Sequence, residues 1–203
     1  MDIIRKAKAS DAKDFVELVL ISAPYFSILF GKKVKILLQY LFKSGSNLFS
    51  FEHVYFIELN GEVCGMILGY DWQTKNSENI RTGFLLFKSL GIHILCRLSV
   101  FLKLNRTVGK LNNGEYYISN IAIYPKYRGK GIGKRLLLEN ELWAKSTGAE
   151  RIVLDVEKDN VNAMRFYKNS AYKILKEFSV SIQKNKTIIF YRITKKLKLK
   201  NDE

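Results

Sequence analysis

The sequence predicts a mixed α/β chain, with helices packed on a central sheet. Three observations carry that expectation. Asn60-Gly61 lies between two strand-like runs, Val54 to Leu59 and Glu62 to Tyr70, as a two-residue hairpin turn requires. A strand-like run, Tyr116 to Tyr124, passes through a glycine-rich loop into a helical pattern, Ile132 to Lys145. A further strand-like run, Arg151 to Glu157, follows that helix, and strand–helix–strand order over such a distance predicts a parallel βαβ unit.

The other elements follow in chain order. Ile3 to Ala7 alternates apolar and basic residues, as a half-buried or edge strand does. Ser10-Asp11 offers an N-cap, and Phe15, Leu18, Val19 and Ser22 carry helical spacing up to Pro24. A second helix is expected over about Ile28 to Lys43, closed by Ser44-Gly45-Ser46-Asn47. Tyr70-Asp71-Trp72 leads into a polar turn, and Ile80 to Leu104 reads as a helix bent at Gly91. Asn160 to Asn169 forms the last expected helix, and Phe178 to Ile193 one or two strands interrupted at Asn185. Only Pro24 and Pro125 are prolines and no linker-like stretch occurs. A single domain over 1–203 is therefore expected, with a helical insertion at about 71–113 and a basic tail at about 195–203.

A net charge of +15 admits nucleic acid, a membrane surface or a phosphorylated ligand as partners. The basic residues are mostly lysines scattered along the chain, which suits a solvated surface better than a nucleic-acid reader, so no nucleic acid is expected. The most apolar stretch, Thr82 to Leu104, is broken by Lys88, His93, Arg97 and Lys103, and no membrane span is expected. Cys64 and Cys96 lack metal-like or redox spacing, and two cysteines make no disulfide scaffold. A cytoplasmic protein without a metal is the expectation. His53 and His93 fall in no recognisable motif and are read as structural.

The loop Arg128-Gly129-Lys130-Gly131-Ile132-Gly133-Lys134 carries the chemistry. Glycines at alternate positions let the backbone approach a ligand closely. The helix that follows aims its unpaired N–H groups and positive dipole end at the loop. A phosphate or pyrophosphate is the natural occupant. The Walker A pattern fails, because Arg128 stands where its first glycine belongs and Arg135 where its hydroxyl does. The Rossmann fingerprint fails on spacing, since Gly129, Gly131 and Gly133 alternate. A ligand-free glycine-rich turn is the plain alternative. A second motif follows one helix and one strand later: Asn160-x-x-Ala163-x-x-Phe166-Tyr167-Lys168, then Ala171-Tyr172.

Together, over about residues 116–173, these motifs resemble the acyl-CoA site of the GNAT (GCN5-related N-acetyltransferase) superfamily. The lead-in Ser119-Asn120-Ile121-Ala122-Ile123 and the loop are most similar to N-terminal acetyltransferases that modify ribosomal proteins. The resemblance implies a central twisted mixed sheet of about six or seven strands flanked by helices, with two parallel strands splayed apart at the acyl-CoA site. It implies acetyl-CoA as co-substrate and a small-molecule or protein amine as acceptor, joined by direct attack in a ternary complex. Backbone groups of Ile121, Ala122 and Ile123 would hold the pantetheine arm. Arg128, Gly129, Lys130, Gly131, Ile132, Gly133 and Lys134 would hold the pyrophosphate. Asn160 and Ala163 would face the coenzyme, with Tyr167 as general acid near its sulfur; the alternative is a core tyrosine. Asp155 matches a proposed glutamate base, with Glu157 on the same face and Glu115 on the preceding strand as further carboxylates; each also reads as ordinary surface charge. Ala171-Tyr172 stands where the family commonly has Gly-Phe, and Ala at a left-handed helix terminus costs about 1 kcal/mol.

The apolar segment 71–113 suits an acceptor lid, an extra helix layer or a contact in a homodimer. Two other readings stand beside the enzyme: a non-catalytic acyl-CoA-binding module of the same fold, and a basic nucleic-acid-binding domain.

Overall fold

The computed structural model describes residues 2–91, 107–183 and 186–197. Its strands are β1 (Asp2–Lys6), β2 (Val54–Leu59), β3 (Glu62–Asp71), β4 (Glu115–Ile123), β5 (Arg151–Glu157), β6 (Lys173–Gln183) and β7 (Lys186–Lys196). The helices are α1 (Ala12–Ser22), α2 (Tyr25–Phe30), α3 (Val34–Lys43), α4 (Trp72–Leu90), α5 (Ile132–Ser146) and α6 (Val161–Asn169). All seven strands join one sheet in the order β1-β2-β3-β4-β5-β7-β6. The neighbours β4 and β5 run parallel, and every other neighbouring pair is antiparallel.

Each face of the sheet carries its own core, as strand alternation requires. On one face Phe56, Met66 and Leu68 pack against Phe15, Leu18 and Val19 of α1 and Leu38 and Phe42 of α3. On the other, Ile57, Ile67, Ile118, Ile152 and Leu154 pack against Leu136 and Leu137 of α5 and Tyr167 of α6. The Asn60-Gly61 hairpin forms as expected, with φ of 52° and 82° at its two central residues.

Three expectations needed correction. The helix expected over Ile28 to Lys43 starts at Tyr25 and breaks at Gly31, whose φ of 60° and ψ of −145° suit glycine alone. The expected polar turn at Asp71-Trp72 is the start of α4, because Asp71 Oδ accepts the Thr74 N–H at 2.7 Å and caps the helix. That helix ends at Gly91, and the part expected from there to Leu104 lies outside the described residues. The closing strands are longer than expected, β6 beginning at Lys173. No single described helix is long and apolar enough to cross a membrane.

What positions the site is how β4 departs from β5. They pair only over Glu115–Tyr117 against Arg151–Val153. Just beyond, the β3 register jumps: Leu68 faces Asn120 and Gly69 faces Ile118, so Ser119 is an extra residue on β4. A bulge bends its strand, and here the bend opens a gap between the two parallel strands at their carboxyl ends.

Candidate active site

The gap is a cavity of about 660 Å³, running from the N-terminus of α5 to the turn between α1 and α2. Its floor is the free edge of β4. Tyr124 N–H donates to Cys64 O at 2.8 Å, so by alternation Ala122 also spends its backbone groups on β3. The amides of Ile121 and Ile123 face the gap instead. Of the three residues expected to hold a pantetheine arm, Ala122 is thus corrected to a wall residue, while Ile121 and Ile123 present a strand edge ready for pairing. The Ile123 carbonyl accepts from Arg128 Nε at 3.2 Å, which draws that guanidinium to the cavity wall.

One end of the cavity is built by backbone. Gly129 and Gly131 have φ of 77° and 78°, a region that residues with a Cβ enter at a cost of about 1–2 kcal/mol. Gly131 is the N-cap of α5, and the first closing bond runs from Arg135 N to Gly131 O at 3.1 Å. The N–H groups of Ile132, Gly133 and Lys134 are therefore left without helical partners at the positive end of the dipole. A Cβ on Gly133 would come within 3.5 Å of Ile123 and 3.7 Å of Phe166, so any side chain there would narrow the gap. Arg128 and Lys134 line this end. Lys130 does not; its ammonium lies 5.8 Å from the centre of the Tyr127 ring.

Helix α6 forms the wall across from β4. Asn160 is its N-cap rather than part of its face, and its Oδ1 accepts the Ala163 N–H at 3.1 Å. Asn160, Ala163, Phe166 and Tyr167 all border the cavity. Tyr167 is buried between Phe166 and Tyr172, with ring centres 5.1 and 5.5 Å away. Burial pushes its phenol well above the ordinary tyrosine range, so it keeps its proton. Its hydroxyl bonds to no described residue, which leaves that proton free for something in the cavity. Two residues beyond the helix, Ala171 has a φ of 65°, the left-handed conformation expected there.

Asp155 behaves differently from expectation. Its oxygens accept from Arg192 Nε and Nη2 at 2.8 Å each, from Gly109 N at 2.8 Å and from the Tyr117 hydroxyl at 3.2 Å. With a side chain 1% exposed and both oxygens engaged, it is an anchor for Arg192 and residue 109. Glu115 is also engaged, holding the Asn112 turn away from the cavity. Glu157 remains. It borders the cavity, is half-buried, and makes no close ion pair with a described residue. Burial, then Asp159, raise its carboxyl above the usual range, and Lys186 offsets this in part. Sequence reasoning missed Tyr25, Phe190 and Arg192. Arg192 meets Asp155 across 37 residues, and no local pattern signals such a pair.

The expected structural role of His53 is met: its Nε2 lies 2.7 Å from Glu78 Oε2, tying α4 to the start of β2. Glu52 brings a third ligand-type atom within 4.8 Å of these two, but none of the three borders the cavity. His93 and Cys96 lie outside the described residues. The apolar segment 71–113 is described in part: α4 packs Leu85 on Leu37 and Leu41 of α3, as an extra helix layer would.

The family model for the acetyltransferase (GNAT) family matches residues 18–172, well over half of the chain. Curated relatives include the chloroplastic GCN5-related N-acetyltransferase 4 of Arabidopsis thaliana, 36% identical over 31% of this chain and 22% of its own length. N-alpha-acetyltransferase 30 of Schizosaccharomyces pombe is 41% identical over 28% of this chain and 37% of its own length. The matches thus span well under half of those relatives. Among solved structures, an N-acetyltransferase from Staphylococcus aureus Mu50 superposes with a TM-score of 0.70 at 18% identity, over 95% of this chain and 100% of the other. The ribosomal-protein-S18-alanine N-acetyltransferase of Escherichia coli does so with 0.59 at 12% identity, over 100% and 98%. At these identities the likeness is one of fold.

Proposed function

The chain belongs to the acetyltransferase (GNAT) family, and on that basis we propose that it transfers an acetyl group from acetyl-CoA to a primary amine within a ternary complex. The observation that carries this reading is the opened gap between β4 and β5. It puts an edge of β4 with no described strand beside it, a helix N-terminus and the Tyr167 phenol along one cavity.

The residues divide the work by position. The N–H groups of Ile132, Gly133 and Lys134, with the Arg128 and Lys134 side chains, suit a pyrophosphate. The edge groups of Ile121 and Ile123 suit the amide-bearing pantetheine arm, which would extend the sheet as another strand does. The arm would bring the thioester to the bulge at Ser119. There the amine nitrogen attacks the carbonyl carbon and a tetrahedral oxyanion forms, which backbone N–H groups beside the bulge would stabilise. The C–S bond then breaks, and Tyr167, kept protonated by its apolar setting, gives its proton to the departing sulfur. An acceptor that arrives as an ammonium first gives one proton to solvent, and the proton the nitrogen loses on attack goes to Glu157, directly or through water. This assigns the base to Glu157 rather than to the Asp155 of the sequence expectation, because Arg192 already occupies Asp155.

A single domain with this active site, located in the cytoplasm, completes the reading. Release of free thiol from acetyl-CoA, followed with an amine panel, tests it. Amine-dependent release supports transfer, whereas acetyl-CoA binding with no release for any amine would leave only a coenzyme-binding module.

A further inference from the structure

Opposite the coenzyme end, the cavity is closed by the α1–α2 turn and the β5–β7 edge. Tyr25 and Phe190 meet there edge to face, with ring centres 5.9 Å apart, and Phe178 stacks behind Phe190 at 5.5 Å. Glu157 pairs in register with Phe190, so its carboxylate emerges beside that ring. Tyr25 lies close enough to feel the charges of both Glu157 and Asp155. Ile21 and Ala23 complete the apolar wall.

The charges at this end can be accounted for one by one. Among the described residues bordering the cavity, the only carboxylates are Asp155 and Glu157, and the only full cations are Arg128 and Lys134 at the other end. Arg192 neutralises Asp155 through two bonds of 2.8 Å. Glu157 is then the anionic charge left on the cavity wall, beside the Tyr25–Phe190 pair, while Asp159 and Lys186 act on it from outside the cavity. A single ammonium finds there both a carboxylate and ring quadrupoles, which together hold a cation well. A second cation a few ångströms further along finds apolar rings and no counter-charge, and it approaches through the field of a molecule carrying +15.

We propose that the acceptor is a monoamine whose carbon next to the amino group carries an apolar or aromatic substituent, seated against the Tyr25–Phe190 pair with its nitrogen on Glu157. This rests on the transferase reading above and narrows it, setting polyamines, aminoglycosides and lysine-rich peptides outside the preferred class. Apolar-first peptide N-termini and arylalkylamines share the required chemistry.

Initial rates of thiol release from acetyl-CoA would be compared for phenethylamine, a lysine-free peptide beginning with Phe, and spermidine. The expected result is a kcat/KM at least about tenfold higher for one of the two monoamines than for spermidine, the scale on which one pocket contact discriminates. In Tyr25→Ala, KM for that monoamine should rise several-fold, with KM for acetyl-CoA unchanged. Spermidine turned over as well as or better than both monoamines would overturn the proposal, as would an unchanged monoamine KM in the variant. Failure of the underlying reading looks different, because then acetyl-CoA would be consumed with none of the three amines, whether or not it binds. Stabilisation of Tyr25→Ala by acetyl-CoA, equal to that of the unaltered protein, verifies that the variant is folded.

Discussion

At the scale of single residues, three groups on two neighbouring elements have been sorted by their surroundings into three tasks. Asp155, Glu157 and Tyr167 are all polar groups near one cavity, and only their partners tell them apart. Asp155 is saturated by Arg192, residue 109 and Tyr117, whereas among the described residues half-buried Glu157 has no close ion-pair partner and the Tyr167 phenol no hydrogen-bond partner. Tyr167→Phe should therefore lower kcat by about 10²-fold, the low end for loss of a general acid, while leaving acetyl-CoA affinity within a factor of about two. Single-turnover acetyl transfer beside equilibrium binding checks this. For Glu157 the sign follows from its burial. A base works when deprotonated, so the rate should climb as pH rises through its carboxyl pKa, and burial moves that limb above the usual carboxylate range. In Glu157→Gln the limb should disappear from the pH profile of kcat/KM; a profile retaining it would assign the base elsewhere.

Individual elements show how the sheet holds the gap open. Arg192 on β7 spans Asp155 on β5 and the carbonyls of Lys110, at 2.7 Å, and Thr107, at 3.4 Å. It thereby locks the approach to β4 against the two strands beyond the gap. Both side chains of the Asp155–Arg192 pair are almost fully buried, so removing one strands the other. Arg192→Ala should cost about 3–5 kcal/mol in chemical unfolding, clearly more than Lys158→Ala, whose pair with Glu177 is solvent-exposed. Equal losses would mean that the clasp carries no special load. These elements also mark the limit of what the sequence discloses. The hairpin at Asn60-Gly61, the glycine loop and the α6 motif are local patterns with local causes, and each was legible. The start of α4 was missed because one Asp71 cap outweighs the polar residues that follow it. The clasp on Asp155 was not legible because its partner lies 37 residues away, in a register that only the folded sheet defines.

For the whole molecule, the seven-stranded order with one parallel pair is an arrangement for keeping two strands apart at one end. β4 is held along its outer edge by β3 and β5 by β7, while the extra residue on β4 parts the two at their carboxyl ends. The helices on the two faces seal the cores on either side, leaving the gap as the place where strand-edge groups meet an open cavity. The central claim is that acetyl-CoA fills it. Thermal unfolding with acetyl-CoA, CoA and ATP in parallel tests that claim most directly. At a concentration of about 100 times Kd, binding to the folded state alone adds about 2.7 kcal/mol. For a chain of this size that corresponds to a rise in Tm of about 5–10 °C. Such a rise with acetyl-CoA and CoA but not with ATP is the predicted result. No rise with either CoA species, or an equal rise with ATP, would contradict the account.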